Sequence, residues 1–262
     1  MAQLPAGDVP LIPRWLRWLS PAPAPIDDAT WHLIRQRCAW VAALDPAREW
    51  TLRALAAQFL QRKTISPLAG LTLDAVQRTL LAALCCLPLL EFGAAGLRGW
   101  SQLLVYPDAF RVQRSHVDAA GVLHEWDDEL IGESWDGGPL ILSWADVQAD
   151  LDAPRTGYCV AVHEMAHKLD VLDGALDGTP PLPRDWQRRW ATDFQRSYDV
   201  FCQRVDRGRA TEIDAYAAEA PEEFFAVVSE YHFSAPQRLQ REMPEVAAHL
   251  DRFYGRSPFA AG

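Results

Sequence analysis

Residues 160–170 read VAVHEMAHKLD and place two histidines four residues apart in an otherwise apolar stretch. The spacing of the apolar residues predicts a helix from about Thr156 to Leu172. Residues four apart share one face of a helix, so the imidazoles of His163 and His167 can reach a single ion. Two unpaired histidines would be costly to bury in such a helix, which favours a metal site over two core histidines.

Glu164 completes the pattern H-E-x-x-H. It follows His163 by one residue, so its side chain is rotated about 100° around the helix axis. Its carboxylate can therefore lie beside a metal ion without binding it and accept a proton from a water molecule there. This arrangement is typical of zinc hydrolases. A second pair, His124 and Glu125, has Asp128 where another histidine would be needed, and we interpret it as solvated.

A catalytic zinc ion usually has three protein ligands and a water molecule, so one more ligand is needed. Carboxylates are concentrated in TEIDAYAAEAPEEFFAVVSEYHF, residues 211–233, where Pro221 suits the first turn of a helix. Glu223 directly precedes the apolar part of that helix, so it is better placed to be buried than Glu219. We favour Glu223 as the third ligand, with Glu219 and His232 as alternatives.

Two further carboxylates are candidates for orienting a metal-binding imidazole by accepting its N–H. Asp170 lies three residues after His167 on the same helical face, and Glu230 lies two helical turns beyond Glu223. For each, a surface salt bridge or a helix cap is the alternative interpretation.

Composition excludes several classes of protein. The 262 residues are 49% hydrophobic, which is ample for a sizeable core, and the formal net charge of -10 repels phosphate and anionic lipid. We therefore expect neither nucleic acid nor a membrane as a direct partner. The most apolar segment, Leu80 to Leu90, is too short to span a membrane, and the first residues are a poor secretory signal.

The five cysteines are dispersed in apolar stretches, as reduced thiols usually are, and we expect a cytoplasmic protein. No cysteine has the spacing of a zinc ligand. A purely structural zinc site, which normally has four ligands rich in cysteine, is therefore disfavoured.

We predict a proline-rich arm over residues 1–27 and a single domain over 28–262, with a helical part at 28–99 and a sheet plus helices at 100–262. Three helices are expected in the first part, beginning at Asp28, at Asp45-Pro46 and near Thr72 or Asp74.

Short β-rich segments separated by turn residues then predict a small, mainly antiparallel sheet; they lie at 102–106, 110–118, 122–126 and 139–144. Helical spacing returns at 156–172, 184–205, 221–233 and 236–254. The expected class is α+β, mostly helical, with the sheet beside the histidine-bearing helix.

Several separated stretches resemble the Mlc titration factor A family of bacterial zinc peptidases, over about residues 50–255. In the family's order they are RGWSQLLVYPDAF (98–110), GESWDGGPLILSWADV (132–147), HEMAHKLDVLDG (163–174) and EIDAYAAEAPEEFFAVVSE (212–230).

This resemblance implies a gluzincin-type site with one zinc ion, Glu223 as the third ligand, and Tyr216 hydrogen-bonding the tetrahedral intermediate. A tyrosine packed against the core is the alternative interpretation of Tyr216. The resemblance also implies an aminopeptidase-like activity and the binding of a glucose-responsive repressor, Mlc. The chain departs from many gluzincins at Val227, where they have a second carboxylate.

Two functions are thus predicted. In the first, Glu164 takes a proton from water, hydroxide attacks a peptide carbonyl polarised by zinc, and Tyr216 stabilises the oxyanion. Glu164 then delivers the proton to the leaving amine, and the strand PLILSW pairs with an extended peptide substrate. In the second, the protein acts chiefly by binding a Mlc-like repressor, and hydrolysis is weak or secondary.

Overall fold

The computed structural model describes residues 23–108 and 138–260. Most of the predicted arm lies outside this part of the chain, as do the predicted strands at 110–118 and 122–126 and the pair His124 and Glu125. The described residues share one hydrophobic core that extends from Ile26 to Phe259.

Three short strands occur among the helices of the described chain. In order, the elements are α1 (Asp28–Arg37), α2 (Ala39–Ala42), α3 (Pro46–Arg62), β1 (Thr64–Pro67), α4 (Ala75–Cys86), β2 (Gln102–Tyr106), β3 (Leu140–Ser143), α5 (Trp144–Asp152), α6 (Val160–Asp170), α7 (Arg184–Asp206), α8 (Pro221–Ser234), α9 (Pro236–Glu242) and α10 (Pro244–Tyr254). Short 3-10 turns occupy Leu87–Leu89, Gly93–Leu97, Val171–Asp173 and Ala215–Ala218. The predicted class, mostly helical α+β with a small sheet, is confirmed.

Caps explain where the N-terminal helices begin. The carboxylate of Asp45 accepts two backbone N–H groups of the first turn of α3, and Pro46 occupies the first helical position. Asp74, one of the two predicted caps, forms a reciprocal capping box with Gln77 at the start of α4. Both starts therefore follow from local sequence.

Two expected helices are interrupted. The helix predicted to begin at Asp28 is divided into α1 and α2 because Cys38 is extended, at φ −118°. The helix predicted over 236–254 is divided at Met243, which is not helical (φ −144°, ψ 68°), because Pro244 disfavours a helical conformation at the residue before it.

The sheet has the order β1-β2-β3, and both pairs of neighbours are parallel. Ile65, Leu103 and Leu140 lie side by side across the three strands, and all three are buried. The predicted antiparallel arrangement is therefore wrong for these strands.

The connections explain this difference. A parallel pair needs a long crossover, whereas the turn residues around the β-rich segments suggested hairpins. The crossover from β1 to β2 contains α4. The strand β1 therefore precedes α4 and lies within residues 28–99, the part of the chain that was expected to be helical. Four residues ending in Pro67 gave too weak a pattern to predict that strand.

The helix α6 lies against β3, α4 and α8. Its apolar side chains are buried, and they are Val160, Ala161, Val162, Met165, Ala166 and Leu169. The partner helix α8 is buried from Phe224 to Ser234. Two core helices thus face each other beside the sheet. Among the described residues, no helix is both long and apolar enough to cross a membrane.

Candidate metal centre

Side chains from α6 and α8 converge on one point. His163 and His167 project from α6, and Glu223 projects from the first turn of α8. The Nε2 atoms of the two histidines are 3.3 Å apart, and the Glu223 carboxylate lies 3.1 Å from His163 Nε2 and 3.5 Å from His167 Nε2. One ligand atom from each residue thus lies within 4.8 Å of the others.

These distances fit a tetrahedral metal ion. Ligand atoms about 2.1 Å from a zinc ion, at tetrahedral angles, are about 3.4 Å apart. The two Nε2 atoms are 3.3 Å apart, and each is near a Glu223 oxygen, His163 Nε2 at 3.1 Å from Oε2 and His167 Nε2 at 3.5 Å from Oε1, so every separation is close to that spacing. Two imidazole nitrogens with one carboxylate also form a donor set that zinc accepts. The cluster can therefore hold zinc with little rearrangement.

Glu230 orients the imidazole of His163 from its Nδ1 side, opposite the Nε2 atom that faces the cluster. Its Oε2 lies 3.1 Å from His163 Nδ1, which places the imidazole proton on Nδ1 and leaves the lone pair of Nε2 directed at the cluster. Its Oε1 accepts the backbone N–H of Cys159, at 2.9 Å, at the start of α6. Val227, where many gluzincins carry a carboxylate, is buried and apolar.

The carboxylates of Glu223 and Glu230 place negative charge next to His163. Burial lowers the pKa of His163, but the charge of Glu230 and the hydrogen bonds with Glu223 and Glu230 outweigh it and raise the pKa to about 10. Burial raises the pKa of Glu223, yet its hydrogen bonds with His163 and His167 hold that pKa far below its ordinary value. The two carboxylates thus favour a positive charge at His163, which a proton or a metal ion can supply.

The start of α6 has a second carboxylate that the sequence did not reveal. Cys159 provides no side-chain cap, but buried Asp150, at the end of α5, accepts the N–H of Val160 at 2.7 Å. Asp150 and Glu230 thus accept the amides of Val160, the first residue of this helix, and of Cys159, the residue before it. Asp150 lies ten residues before Val160, beyond the spacing of any capping motif, so only the folded chain reveals the contact.

Asp170 is buried but does not meet His167. Its Oδ2 accepts the N–H of Gly178 at 2.7 Å, while its Oδ1 and His167 Nδ1 have no hydrogen-bond partner among the described residues. Burial raises the pKa of Asp170 to about 7. The carboxylate therefore fixes the loop after α6 instead of orienting an imidazole.

Gly178 is a close contact between that loop and α8. Its backbone has φ +77°, and a Cβ atom there would lie 2.5 Å from the carbonyl oxygen of Pro221. Its own carbonyl accepts the indole N–H of Trp190 at 3.2 Å. The loop is thus tied to both α7 and the first residue of α8.

Glu164 and Tyr216 lie at the edge of the cluster. Glu164 is half-buried, whereas both histidines on the same helix are buried. Tyr216, in the 3-10 turn Ala215–Ala218, is half-buried, and its ring centroid is 6.2 Å from that of His163. Tyr216 is therefore near the ligands, the charge of Glu164 helps to raise the pKa of His163, and neither side chain belongs to the ligand set.

The alternative third ligands lie elsewhere. Glu219 is exposed, and the convergent group of ligand atoms does not contain it. His232 is buried on α8, with Nδ1 3.6 Å from Asp251 Oδ1 and its ring centroid 5.6 Å from that of Tyr254. Of the three candidates, Glu223 is the one that the fold brings to the histidines.

Comparison with known proteins identifies the family of the chain. The profile of the family described as glucose-regulated metallo-peptidase M90 matches residues 13–255. Proteins named Mlc titration factor A, from Yersinia pestis (strain Pestoides F) and Yersinia pseudotuberculosis serotype O:1b (strain IP 31758), are each 36% identical over 250 residues, which cover 94% of this chain and 91% of theirs. The predicted family resemblance is thereby confirmed. The chain belongs to the glucose-regulated metallo-peptidase M90 family.

Proposed function

We propose that the protein is a zinc-dependent, aminopeptidase-like peptidase with one Zn²⁺ held by His163, His167 and Glu223. The observation that supports this most strongly is the convergence of the three ligand atoms at separations suited to a tetrahedral ion. Three protein ligands leave a coordination position for water, as catalytic zinc requires.

Zinc bound here would polarise a peptide carbonyl and lower the pKa of water toward neutrality. Glu164 is the general base: one residue beyond His163 on α6, it accepts the proton of the attacking water. Because Glu164 is half-buried beside the cluster, its carboxylate can also deliver that proton to the leaving amine.

Tyr216 stabilises the oxyanion of the tetrahedral intermediate through its hydroxyl group. The proximity of its ring to His163 supports this role, because a phenol on that side can reach an oxygen held between the ligands. The residue is thus a catalytic group that binds no metal.

An extended peptide is the substrate that the sheet suits. Within residues 23–108 and 138–260, β3 pairs on one side only, with β2, and it packs against α6. A free strand edge supplies backbone donors and acceptors without demanding a particular side-chain sequence. Lys168 donates to the carbonyl of Gly138 at 2.9 Å, which holds the start of this strand against α6.

The names of the relatives favour a second candidate function, the binding of a Mlc-like repressor. In that case the protein acts chiefly by binding this partner, and hydrolysis is weak or secondary. The two functions are separable, because only hydrolysis requires a general base.

We further propose that residues 28–262 form one peptidase domain after an arm at 1–27, and that the protein works in the cytoplasm. The core shared between Ile26 and Phe259 supports a single domain. Five free thiols, four of them buried, suit a reducing compartment.

The Glu164→Gln variant tests the proposal. It should retain zinc and lose hydrolysis of chromogenic aminoacyl and peptide substrates, because glutamine keeps the shape of glutamate but cannot accept a proton. Glu219→Gln, an exposed glutamate, is the matched control and should remain active. Retained turnover in zinc-loaded Glu164→Gln would rule out this base.

The same variants separate the two candidate functions. Binding of a Mlc-type repressor to Glu164→Gln, measured by calorimetry, should equal that of the wild type if binding is independent of chemistry. A protein that binds the repressor but hydrolyses no peptide in any form would favour the second function.

A further inference from the structure

The turn that carries Tyr216 is fixed by Asp214. One carboxylate oxygen of Asp214 accepts the backbone N–H of Tyr216 at 2.9 Å, and the Asp214 carbonyl accepts the N–H of Ala217 at 3.1 Å. Asp214 is therefore the cap of the 3-10 turn Ala215–Ala218.

The other carboxylate oxygen of Asp214 reaches the entry of α6. It accepts the hydroxyl of Tyr158 at 2.5 Å, and both side chains are half-buried. A hydrogen bond from a phenol to a carboxylate is stronger than a neutral one, and partial burial reduces competition from water. Asp214 thus joins two segments that are far apart in sequence.

Tyr158 directly precedes Cys159, whose N–H is bound by Glu230. Glu230 in turn holds His163 at 3.1 Å. A short path of named contacts therefore leads from the turn bearing Tyr216, through Asp214 and Tyr158, to the imidazole that faces the metal position.

Close packing limits the freedom of this junction. Gly157, before Tyr158, has φ +109°, and a Cβ atom there would lie 2.5 Å from Cζ of the Tyr231 ring. Tyr231 follows Glu230 on α8, and the Asp214 carboxylate is close enough to add to the effect of burial in raising the pKa of Tyr231. The loop before α6, the turn and α8 thus meet at one place.

We propose that Asp214 is a positioning residue that sets the place of the Tyr216 hydroxyl relative to His163 by hydrogen-bonding both Tyr216 N–H and the Tyr158 hydroxyl. Asp214 itself touches neither substrate nor metal. The inference rests on the proposed function, in which Tyr216 stabilises the oxyanion. Displacement of a catalytic group by about 1 Å costs on the order of 100-fold in rate, so a fixed turn has a kinetic consequence.

Tyr158→Phe is the conservative test, because it removes one hydroxyl and keeps the ring. Zinc-loaded Tyr158→Phe should lose kcat by on the order of 10- to 100-fold, with KM and zinc content unchanged. Asp214→Ser, which keeps a capping oxygen but cannot reach Tyr158, should show a similar loss. Tyr254→Phe, which removes a hydroxyl 3.1 Å from Ser229 Oγ on α8, is the matched control and should keep its kcat.

Measuring Tyr158→Phe in a Tyr216→Phe background distinguishes loss of Tyr216 positioning from a general structural effect on kcat. If Tyr158 acts through the Tyr216 hydroxyl, Tyr158→Phe should cause no further loss of kcat in that background. A full additional loss there, or an unchanged kcat in Tyr158→Phe alone, would overturn the proposal.

Amide hydrogen exchange gives a readout that does not depend on catalysis. Residues 215–218 should exchange faster in Tyr158→Phe than in the wild type and in Tyr254→Phe. If the zinc-loaded wild type hydrolyses no peptide, the proposed function fails, and exchange alone then decides whether Asp214 and Tyr158 fix the turn. Unchanged exchange at 215–218 would show that they do not.

Discussion

The carboxylate of Glu230 lies 3.1 Å from Nδ1 of His163 and, through its other oxygen, accepts the backbone N–H of Cys159, the residue immediately before the helix that carries His163. One side chain from α8 therefore fixes both the rotation of an imidazole and the start of the helix that carries it. Because Glu223 comes from the same helix α8, the position of this helix determines two of the groups around the metal position.

Glu230→Gln should weaken zinc binding by on the order of 10- to 100-fold. The amide has one acceptor oxygen, so it cannot accept both from Cys159 N–H and from His163. Competition with a chelator of known affinity measures the change, and Glu219→Gln is the control for removing one negative charge. An unchanged zinc dissociation constant in a folded Glu230→Gln protein would contradict the orienting role.

Glu223→Ala should remove most bound zinc, because two histidines alone are a weak site for the ion. Metal analysis after dialysis against a weak chelator should show stoichiometric zinc in the wild type and in Glu222→Ala, which changes the neighbouring glutamate. Equal zinc contents in Glu223→Ala and the wild type would place the third ligand elsewhere.

Gly157→Ala should be more destabilising than Gly174→Ala. Both glycines have positive φ, +109° and +92°, so alanine is strained at either position. At Gly157 the new methyl group also meets the Tyr231 ring, whereas at Gly174 none of the described residues other than its chain neighbours has an atom within 4 Å of it. Overpacking should add about 1–3 kcal/mol to the loss of unfolding free energy, measured by urea denaturation. Equal losses would show that the ring moves aside freely.

Acid should destabilise the protein through His232. Burial, with the nearby charge of Arg48, lowers the pKa of His232 to about 3 in the folded protein, from an ordinary histidine value of 6.5. The unfolded chain therefore binds the proton first, and this contribution to stability is present above pH 6.5 and lost as the pH falls toward 3.

Between pH 6 and pH 4, the slope of unfolding free energy against pH should be smaller in His232→Gln than in the wild type, by up to about 1.4 kcal/mol per pH unit. Urea denaturation across this range measures the slope. His32→Gln, which removes an exposed imidazole, is the control. Parallel curves for wild type and His232→Gln would show that His232 accepts its proton without unfolding.

Local signals made the helices predictable. Asp45 with Pro46, Asp74 with Gln77, and Pro221 provide caps or fixed φ angles at the starts of α3, α4 and α8, and such signals act within a few residues. The spacing of His163 and His167 is likewise a local property of one helix. The sequence therefore indicated the histidine pair and the helix that carries it.

Contacts between distant segments were not predictable in the same way. The parallel sheet depends on long crossovers, and β1 is too short for its own pattern to stand out. Asp170 and Glu230 each lie seven residues after a ligand, His163 and Glu223 respectively. Only Glu230 meets an imidazole, because the Asp170 carboxylate accepts the N–H of Gly178. The links from Asp150 and Asp214 to α6 are equally non-local.

The dimensions of the metal centre depend on a residue outside it. Gly178 touches the carbonyl of Pro221, where the helix bearing Glu223 begins, and has no side chain of its own to hold the two apart. A methyl group at Gly178 would clash with the first turn of that helix and would move the Glu223 carboxylate away from the histidines. The absence of a single carbon atom in a loop thus sets how closely two core helices can bring their ligands together.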